Sequence, residues 1–190
     1  MKLIGITGKS GSGKSTLANC LSNKLNCLYV DTDKVCHEAL NNKEIIEKLK
    51  VIFGLDIFDG NTQNINRKLL GKIVFKDSNK MKMLTNITWA YLENFIDNII
   101  LQNPKYLIIE GIAINQTKYW DKFSYKILVS SDDLMRKENV IKRDNISAEY
   151  FDIRDLASID YSNLSFDYIF HNNYREDTLT NFADKVINTL

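Results

Sequence analysis

The sequence predicts an α/β fold in which a five-stranded parallel sheet lies between two layers of helices. Stretches with helical periodicity separate five short apolar runs, and this alternation is typical of a parallel sheet covered on both faces. The run Tyr106-Leu-Ile-Ile-Glu110 is apolar almost throughout, as expected of a strand with both faces buried. The predicted strands are residues 1–7, 27–31, 106–110, 125–130 and 166–170. A chain of 190 residues predicts one domain, 1–190.

The first apolar run leads directly into a glycine-rich loop. Residues 8–15 read Gly-Lys-Ser-Gly-Ser-Gly-Lys-Ser, which is a complete G-x-x-x-x-G-K-[ST] pattern. A helical stretch containing Leu17 and Leu21 follows, so strand, loop and helix come in the order that the motif requires. Such a loop binds phosphate through backbone amides and the positive end of the helix dipole. The pattern predicts a P-loop nucleotide-binding fold with the phosphate ligands Gly8, Gly11, Ser12, Gly13, Lys14, Ser15 and Thr16.

Two side chains of this loop indicate the ligand chemistry. Lys14 supplies a positive charge for β- and γ-phosphates, and the Ser15 hydroxyl is a natural Mg²⁺ ligand. We therefore predict ATP and Mg²⁺ as nucleotide and metal ion. Glu110, at the end of the third strand, is placed to bind a water of that Mg²⁺, although a solvated or helix-capping acid is the alternative.

Polar residues stand where the predicted strands end. In open parallel sheets, ligands bind beyond the carboxyl ends of the strands. Thr7, Glu110 and the pair Asp31 and Asp33 occupy such positions. We predict that Thr7, Asp33 and Glu110 face the substrate, with Asp33 as the proton acceptor for an incoming hydroxyl. A helix N-cap is the alternative role for Asp33.

The segment 41–103 is too long for a single crossover helix and is predicted to form a helical substrate-binding subdomain over the ligand end of the sheet. Its helical stretches are 67–76 and 79–102. An apolar stripe in the longer stretch repeats every three or four residues and predicts core packing. The stripe consists of Leu84, Ile87, Tyr91, Phe95 and Ile99.

Two side chains of that segment are candidate substrate ligands. Arg67 could bind a substrate phosphate, or else pair with a nearby acid such as Asp59. Trp89 could stack on the base of the acceptor, or else be buried in the apolar stripe.

Residues 132–160 are predicted to form a lid that closes over the nucleotide. Charge that develops on a transferred phosphoryl group requires cationic donors, and arginine supplies them bidentately. Three arginines lie in this helical segment, and Arg143 is ranked before Arg154 and Arg136. A solvated surface charge is the alternative for each arginine taken alone.

Bulk properties exclude several classes of partner. The formal net charge is +1, so no global field draws the chain to nucleic acid or to an anionic membrane. No apolar run approaches the roughly 18 residues of a membrane span, and the N-terminal run is too short for a signal peptide. The three irregularly spaced cysteines, Cys20, Cys27 and Cys36, fit reduced thiols. We therefore expect a cytoplasmic monomer with small-molecule partners only.

Taken together, these motifs resemble the dephospho-CoA kinase family over most of the chain. The phosphate loop and the Val30-Asp-Thr-Asp33 pair match it, as does the string from Ile65 to Phe75, which resembles D/N-R-x-x-L-x-x-I-V-F. Phe166-Asp-Tyr-Ile-Phe-His-Asn172 is similar to A-D-x-V-I-x-N. The resemblance implies ATP-dependent phosphorylation of the ribose 3′-hydroxyl of dephospho-CoA.

The resemblance also implies roles for single residues. Asp33 matches the second aspartate of the family's pair, and Arg143 matches the arginine that ends the first lid helix. Lys14 completes the predicted catalytic set. Asn172 resembles the residue that lies next to the adenine of ATP.

The chain departs from the family pattern at several positions. Trp89-Ala90 stands in place of His-Pro, Asn139 replaces an arginine in the lid, and Lys9-Ser10 replaces the usual Gly-Ile of the loop. The loop is also similar to that of uridine kinases. A nucleoside or nucleoside-monophosphate kinase is therefore an alternative, as is a nucleotide-binding module without transfer activity.

Overall fold

The computed structural model describes residues 1–60, 64–156 and 158–190. Its sheet is entirely parallel, with the strand order β2-β3-β1-β4-β5. Because β1 is central, the loop that follows it begins at the middle of the ligand-binding edge of the sheet. The five strands are β1 (Lys2–Thr7), β2 (Leu28–Asp31), β3 (Tyr106–Glu110), β4 (Tyr125–Ser131) and β5 (Tyr168–Asn172). The predicted parallel sheet is confirmed.

Helices connect the strands and complete a three-layer α/β fold, as predicted. They are α1 (Lys14–Leu25), α2 (Thr32–Ala39), α3 (Lys43–Phe53), α4 (Arg67–Val74), α5 (Ser78–Leu101), α6 (Asp133–Asp144), α7 (Ala148–Leu156) and α8 (Glu176–Ile187). Within the described ranges, none of these helices combines the length and the apolar character that a membrane crossing demands.

The chain folds as two compact units. The first comprises residues 1–32 and 103–190, and the second comprises residues 33–102. The helical insert predicted from the sequence, 41–103, begins at a later residue than this second unit. Positions 61–63 of the predicted insert and position 157 of the predicted lid lie outside the described residues.

One face of the sheet in the first unit packs against α1 and α8. Leu17 and Leu21 of α1 and Ala183 of α8 are fully buried against Ile4 and Ile6 of β1. Each buried leucine or isoleucine side chain contributes about 1.5–3 kcal/mol relative to an exposed one. The two elements that the glycine loop joins, β1 and α1, are therefore packed firmly against each other.

The second unit is helical and has a core of its own. Its helices begin where asparagine or aspartate side chains cap free backbone amides, as Asn42 does for α3, Asn66 for α4 and Asp77 for α5. Each such cap stabilises its helix by about 1 kcal/mol. The buried side chains beneath are Ala39, Leu40, Ile45, Leu49, Ile57, Phe58, Leu70 and Val74.

Candidate active site

The glycine loop is held closely by later parts of the first unit. Gly13 precedes α1 with φ 94°, and a Cβ there would lie 2.1 Å from Nδ2 of Asn172. A Cβ on Gly8 would lie 2.1 Å from the carbonyl oxygen of Val129. Only glycine fits these two positions. The sequence pattern therefore reflects both the positive φ of the loop and its contact with the ends of β4 and β5.

Lys14 and Ser15 meet the carboxylate of Glu110 at the start of α1. The Lys14 Nζ lies 3.7 Å from Oε1 of Glu110 and donates to the Lys9 carbonyl at 3.2 Å. Ser15 Oγ donates to the other carboxylate oxygen, Oε2, at 3.1 Å. Lys14 and Glu110 are both buried, with 6% and 2% exposure. The structure thus brings together two residues predicted from the loop motif and one predicted from the end of the third strand.

Tyr29 adds a contact that the sequence analysis missed. Its hydroxyl donates to Oε2 of Glu110 at 3.2 Å and lies 3.4 Å from Oδ2 of Asp31. Burial, together with the nearby carboxylates of Glu110 and Asp31, raises the pKa of the Tyr29 hydroxyl, so this group stays protonated and donates. A signal existed in the sequence, because Tyr29 and Asp31 are two apart on one strand and therefore share a face.

The oxygens of this cluster fit a magnesium ion. Ser15, Glu110 and Asp31 offer a hydroxyl and two carboxylates, which are the hard ligands that Mg²⁺ prefers. In the described part of the chain, no group of three or more His, Cys, Asp or Glu side chains is arranged to hold a metal. A hydroxyl beside two carboxylates is compatible with an ion that completes its coordination with phosphate oxygens and water.

A cavity of about 760 Å³ opens from the loop along α1. Asn139 and Arg143 of α6 line it, together with Tyr174 and Arg175 beyond β5. The remaining lining residues are Gly11, Gly13, Lys14, Ser15, Thr16, Cys20, Asn172, Glu176, Leu179 and Thr180. Five of the seven predicted phosphate ligands therefore share one cavity with Arg143, while Gly8 and Ser12 do not line it. The sequence after β5 did not indicate that this segment lines the cavity.

Asn172, predicted to lie next to adenine, lines this cavity and is buried. Its Nδ2 donates to the Ser12 carbonyl at 2.8 Å, and its Oδ1 accepts from the backbone N–H of Tyr174 at 2.8 Å. Its amide thus binds the phosphate loop and the following turn. Contact with the base stays a prediction.

The lid arginines have different surroundings. Arg136 is 2% exposed, binds Asp155 through both terminal nitrogens, also binds Asp133, and donates to the Ser10 carbonyl at 3.2 Å. Hydrogen bonds from Arg136 hold the pKa of the Asp155 carboxyl below its usual value. Arg136 thereby connects α6 and α7 to the phosphate loop.

Arg143 and Arg154 meet at a common acid. Arg143 binds both carboxylate oxygens of Asp144, and Arg154 Nη1 lies 3.3 Å from Oδ2. These contacts, led by the Arg143 hydrogen bond, hold the pKa of Asp144 below its usual value. Of the two arginines, Arg143 faces the nucleotide cavity.

Four further residues were predicted to contact the substrate. Thr7 is fully buried in the first unit, and its hydroxyl donates to the carbonyls of Gly111 and Ile112 at 2.8 and 3.0 Å. In the second unit, Asp33 lies in the first turn of α2 and Arg67 begins α4, both exposed, while Trp89 is half-buried on α5. Their contact with substrate stays a prediction.

A buried lysine and the serine hydroxyl that follows it on a glycine loop, beside a carboxylate at the end of β3 and an arginine from α6, define a kinase of the P-loop class. The family model described as dephospho-CoA kinase matches residues 2–174. The chain belongs to the dephospho-CoA kinase family.

Individual relatives agree. A dephospho-CoA kinase from Fusobacterium nucleatum is 34% identical over 148 residues, covering 77% of this chain and 76% of that protein. One from Aquifex aeolicus is 34% identical over 157 residues, covering 81% and 79%. A solved Thermus thermophilus structure superposes with a TM-score of 0.82 at 23% identity, covering 100% of this chain and 97% of that one. At that identity, this last likeness concerns the fold.

Proposed function

We propose that this chain transfers the γ-phosphoryl group of ATP to the ribose 3′-hydroxyl of dephospho-CoA, which yields coenzyme A and ADP. The observation that carries the proposal is the intact cluster of Lys14, Ser15 and Glu110 in a chain that belongs to this family. A nucleotide-binding module without transfer activity would need the loop amides but not this cluster.

The transfer exchanges one P–O bond for another. The ribose 3′-oxygen attacks the γ-phosphorus, the bond from that phosphorus to the β,γ-bridging oxygen breaks, and ADP leaves with the bonding electrons. The hydroxyl proton passes to a base, and we assign that role to Asp33, which is exposed at the start of α2. A carboxylate suits this task because it is ionised at neutral pH.

Lys14 neutralises charge on the transferred group. A bound Mg²⁺ would supply further charge stabilisation for the phosphates. Ser15 would hold it directly, while Glu110 and Asp31 would bind its waters. When ATP enters, Lys14 exchanges its contact with the Lys9 carbonyl for phosphate oxygens, and its charge remains balanced by Glu110.

Arg143 is the proposed donor to the transferred phosphoryl oxygens. It lines the nucleotide cavity and is exposed, with its guanidinium oriented by Asp144. Arg136, in contrast, is buried with its nitrogens bound to two acids and a carbonyl. We assign to Arg136 the role of holding the phosphate loop in position. We assign to residues 132–160 the role of a lid.

The test is a product assay with purified protein, ATP, Mg²⁺ and dephospho-CoA. We expect coenzyme A and ADP in equal amounts, and no turnover by Lys14→Ala. Uridine, cytidine and nucleoside monophosphates serve as competing acceptors. Faster turnover of any of these would overturn the assignment of the acceptor, and ATP binding without product from any acceptor would overturn the kinase function.

A further inference from the structure

Lys9 of the phosphate loop contacts two other parts of the first unit. Its backbone carbonyl accepts from Nζ of Lys14 at 3.2 Å, and its own Nζ lies 3.7 Å from Oδ2 of Asp155 in α7. One residue thus contacts both the lysine of the loop motif and a helix of the proposed lid. We propose that Lys9 is a positioning residue for Lys14, with Asp155 as its anchor, an inference that rests on the proposed function.

The side chain of Lys9 lies outside the nucleotide cavity. It lines a second cavity of about 850 Å³, together with Asp155 and Asp160. Lys9 is not among the described residues that line the cavity beside α1. We therefore expect its influence on ATP to pass through the residues that it contacts, and not through a bond from its ammonium group to a phosphate.

The Lys9 carbonyl keeps Lys14 at a distance from Glu110. The Lys14 Nζ lies 3.7 Å from Oε1 of Glu110, which is an ion pair but too long for a hydrogen bond. Without the Lys9 carbonyl as an acceptor, the ammonium group would move closer to that buried carboxylate, because opposite charges attract strongly where water is excluded. The closer Lys14–Glu110 contact would then have to break before Lys14 could bind a phosphate.

The same carbonyl also shapes the loop. It accepts from the backbone N–H of Ser12 at 3.2 Å, which closes a turn over residues 9–12. Gly8, which precedes this turn, has φ 148°, and glycine allows a wide range of backbone angles. The chain before Lys9 therefore gives the carbonyl little restraint. Arg136 holds the Ser10 carbonyl at 3.2 Å, and the ion pair between Lys9 and Asp155 holds the loop one residue earlier.

Asp155 is a firm anchor because Arg136 already holds it. Arg136 is buried and binds the two carboxylate oxygens of Asp155 at 2.6 and 2.9 Å. The carboxylate therefore keeps its position whether or not Lys9 pairs with it. The Lys9 side chain, in contrast, is partly exposed and its contact is longer. A pair of this kind contributes little to the stability of the fold, so its loss should hardly change the melting temperature.

The first experiment compares Lys9→Met with Lys24→Met. Lys24 pairs with Asp184 at 2.6 Å in the last turn of α1, at the opposite end of that helix from the loop. Methionine keeps the unbranched apolar stem of lysine without its charge. We expect Lys9→Met to raise the KM for ATP by about two- to fivefold, the range of a partly exposed ion pair, with little change in kcat. Lys9→Arg should restore the wild-type KM, and Lys24→Met should leave it unchanged.

The second experiment repeats Lys9→Met in an Asp155→Asn background. The readout is the dissociation constant of a non-hydrolysable ATP analogue, measured by equilibrium titration. If Lys9 acts through Asp155, Lys9→Met should weaken binding in the wild-type background and have no further effect in the Asp155→Asn protein. An equal loss in both backgrounds would overturn the proposal, because the lysine charge would then act on ATP without its anchor.

Two further outcomes separate this inference from the proposed function. A Lys9→Met protein that binds the ATP analogue as tightly as wild type, with an active wild-type enzyme, would overturn the positioning role alone. A wild-type protein that binds the analogue but makes no coenzyme A would instead overturn the proposed function.

Discussion

Asn172 at the end of β5 donates a buried hydrogen bond of 2.8 Å to the carbonyl oxygen of Ser12 in the phosphate loop. Tyr174 adds a second link, since its hydroxyl donates to the Gly11 carbonyl at 3.0 Å. Tyr174 itself has φ 61°, a conformation that costs a non-glycine residue about 1 kcal/mol or more. The geometry of the loop therefore depends on a strand far from it in sequence.

Replacement of Asn172 by alanine should impair nucleotide binding. The Ser12 carbonyl would lose its partner, and an unsatisfied buried group costs about 1–3 kcal/mol. We expect the KM for ATP to rise by about tenfold, with a smaller change in kcat, in steady-state assays. Asn173→Ala, at an exposed neighbour, is the control. A variant with wild-type KM would show that the loop keeps its geometry unaided.

Tyr29→Phe should change the magnesium requirement. Loss of the hydroxyl leaves Glu110 without the donor that fixes Oε2 beside Ser15. We expect the Mg²⁺ concentration for half-maximal activity to rise several-fold, while activity at saturating Mg²⁺ stays near wild type. A titration of initial rate against Mg²⁺ at fixed ATP measures this. An unchanged midpoint would remove Tyr29 from the metal site.

Arg143→Lys should lower turnover without unfolding the protein. Lysine keeps the charge but cannot bind two phosphoryl oxygens at once. Loss of one donor to a transition-state oxyanion typically costs about 10²–10³ in kcat. Single-turnover rates measure this effect, and Lys142→Arg, at a neighbouring exposed position, is the control. Unchanged rates for Arg143→Lys would count against its proposed role.

Asp33→Asn should separate binding from chemistry. Asparagine keeps the size of the side chain but cannot take the proton from the ribose hydroxyl. We expect kcat to fall by about 10²-fold or more, with an unchanged dissociation constant for ATP. Equilibrium titration with a non-hydrolysable ATP analogue measures the second quantity. Near wild-type turnover would assign the proton to another acceptor.

Acid should weaken the contact between the lid and the loop. Arg136 lowers the pKa of Asp155 from the ordinary value of 3.8, so the Asp155 carboxylate stabilises the fold above that pH. This contribution disappears as the pH falls through the lowered pKa. We expect Asp155→Asn to melt below wild type at pH 7 and the difference to shrink below about pH 4. A constant difference at every pH would show that Asp155 stabilises by packing alone.

Local patterns were sufficient to predict the framework of the fold. Hydrophobic periodicity and turn residues located all five strands. However, β5 begins at Tyr168, not at residue 166, because the Asp167 carboxylate accepts a hydrogen bond from the backbone N–H of Lys126. The prediction of the apolar stripe on α5 was less accurate. Leu92 and Ile96 are buried to 1% and 0% exposure, whereas Phe95 is 38% exposed. Helical spacing predicts that one face of a helix is apolar, but tertiary packing decides which residues around the helix are buried.

The site was predictable where one motif contains the chemistry. Lys14 and Ser15 followed from the loop pattern, and Glu110 from its place at the end of a strand. Tyr29 joins this site from β2 and Asn139 from α6. The sequence shows that Tyr29 shares a strand face with Asp31, but its contact with Glu110 depends on the pairing of β2 with β3. The contrast between Arg136 and Arg143 also depends on folding, because burial beside Asp133 and Asp155 distinguishes two arginines of the same helix.

The links from Arg136, Asn172 and Tyr174 to the loop have a consequence during synthesis. The loop leaves the ribosome first, but its partners stand 126, 160 and 163 positions later in the chain. A nascent chain that has emerged only to β3 carries the complete motif without the side chains that hold it. We therefore expect full affinity for ATP only after β5 has joined the sheet.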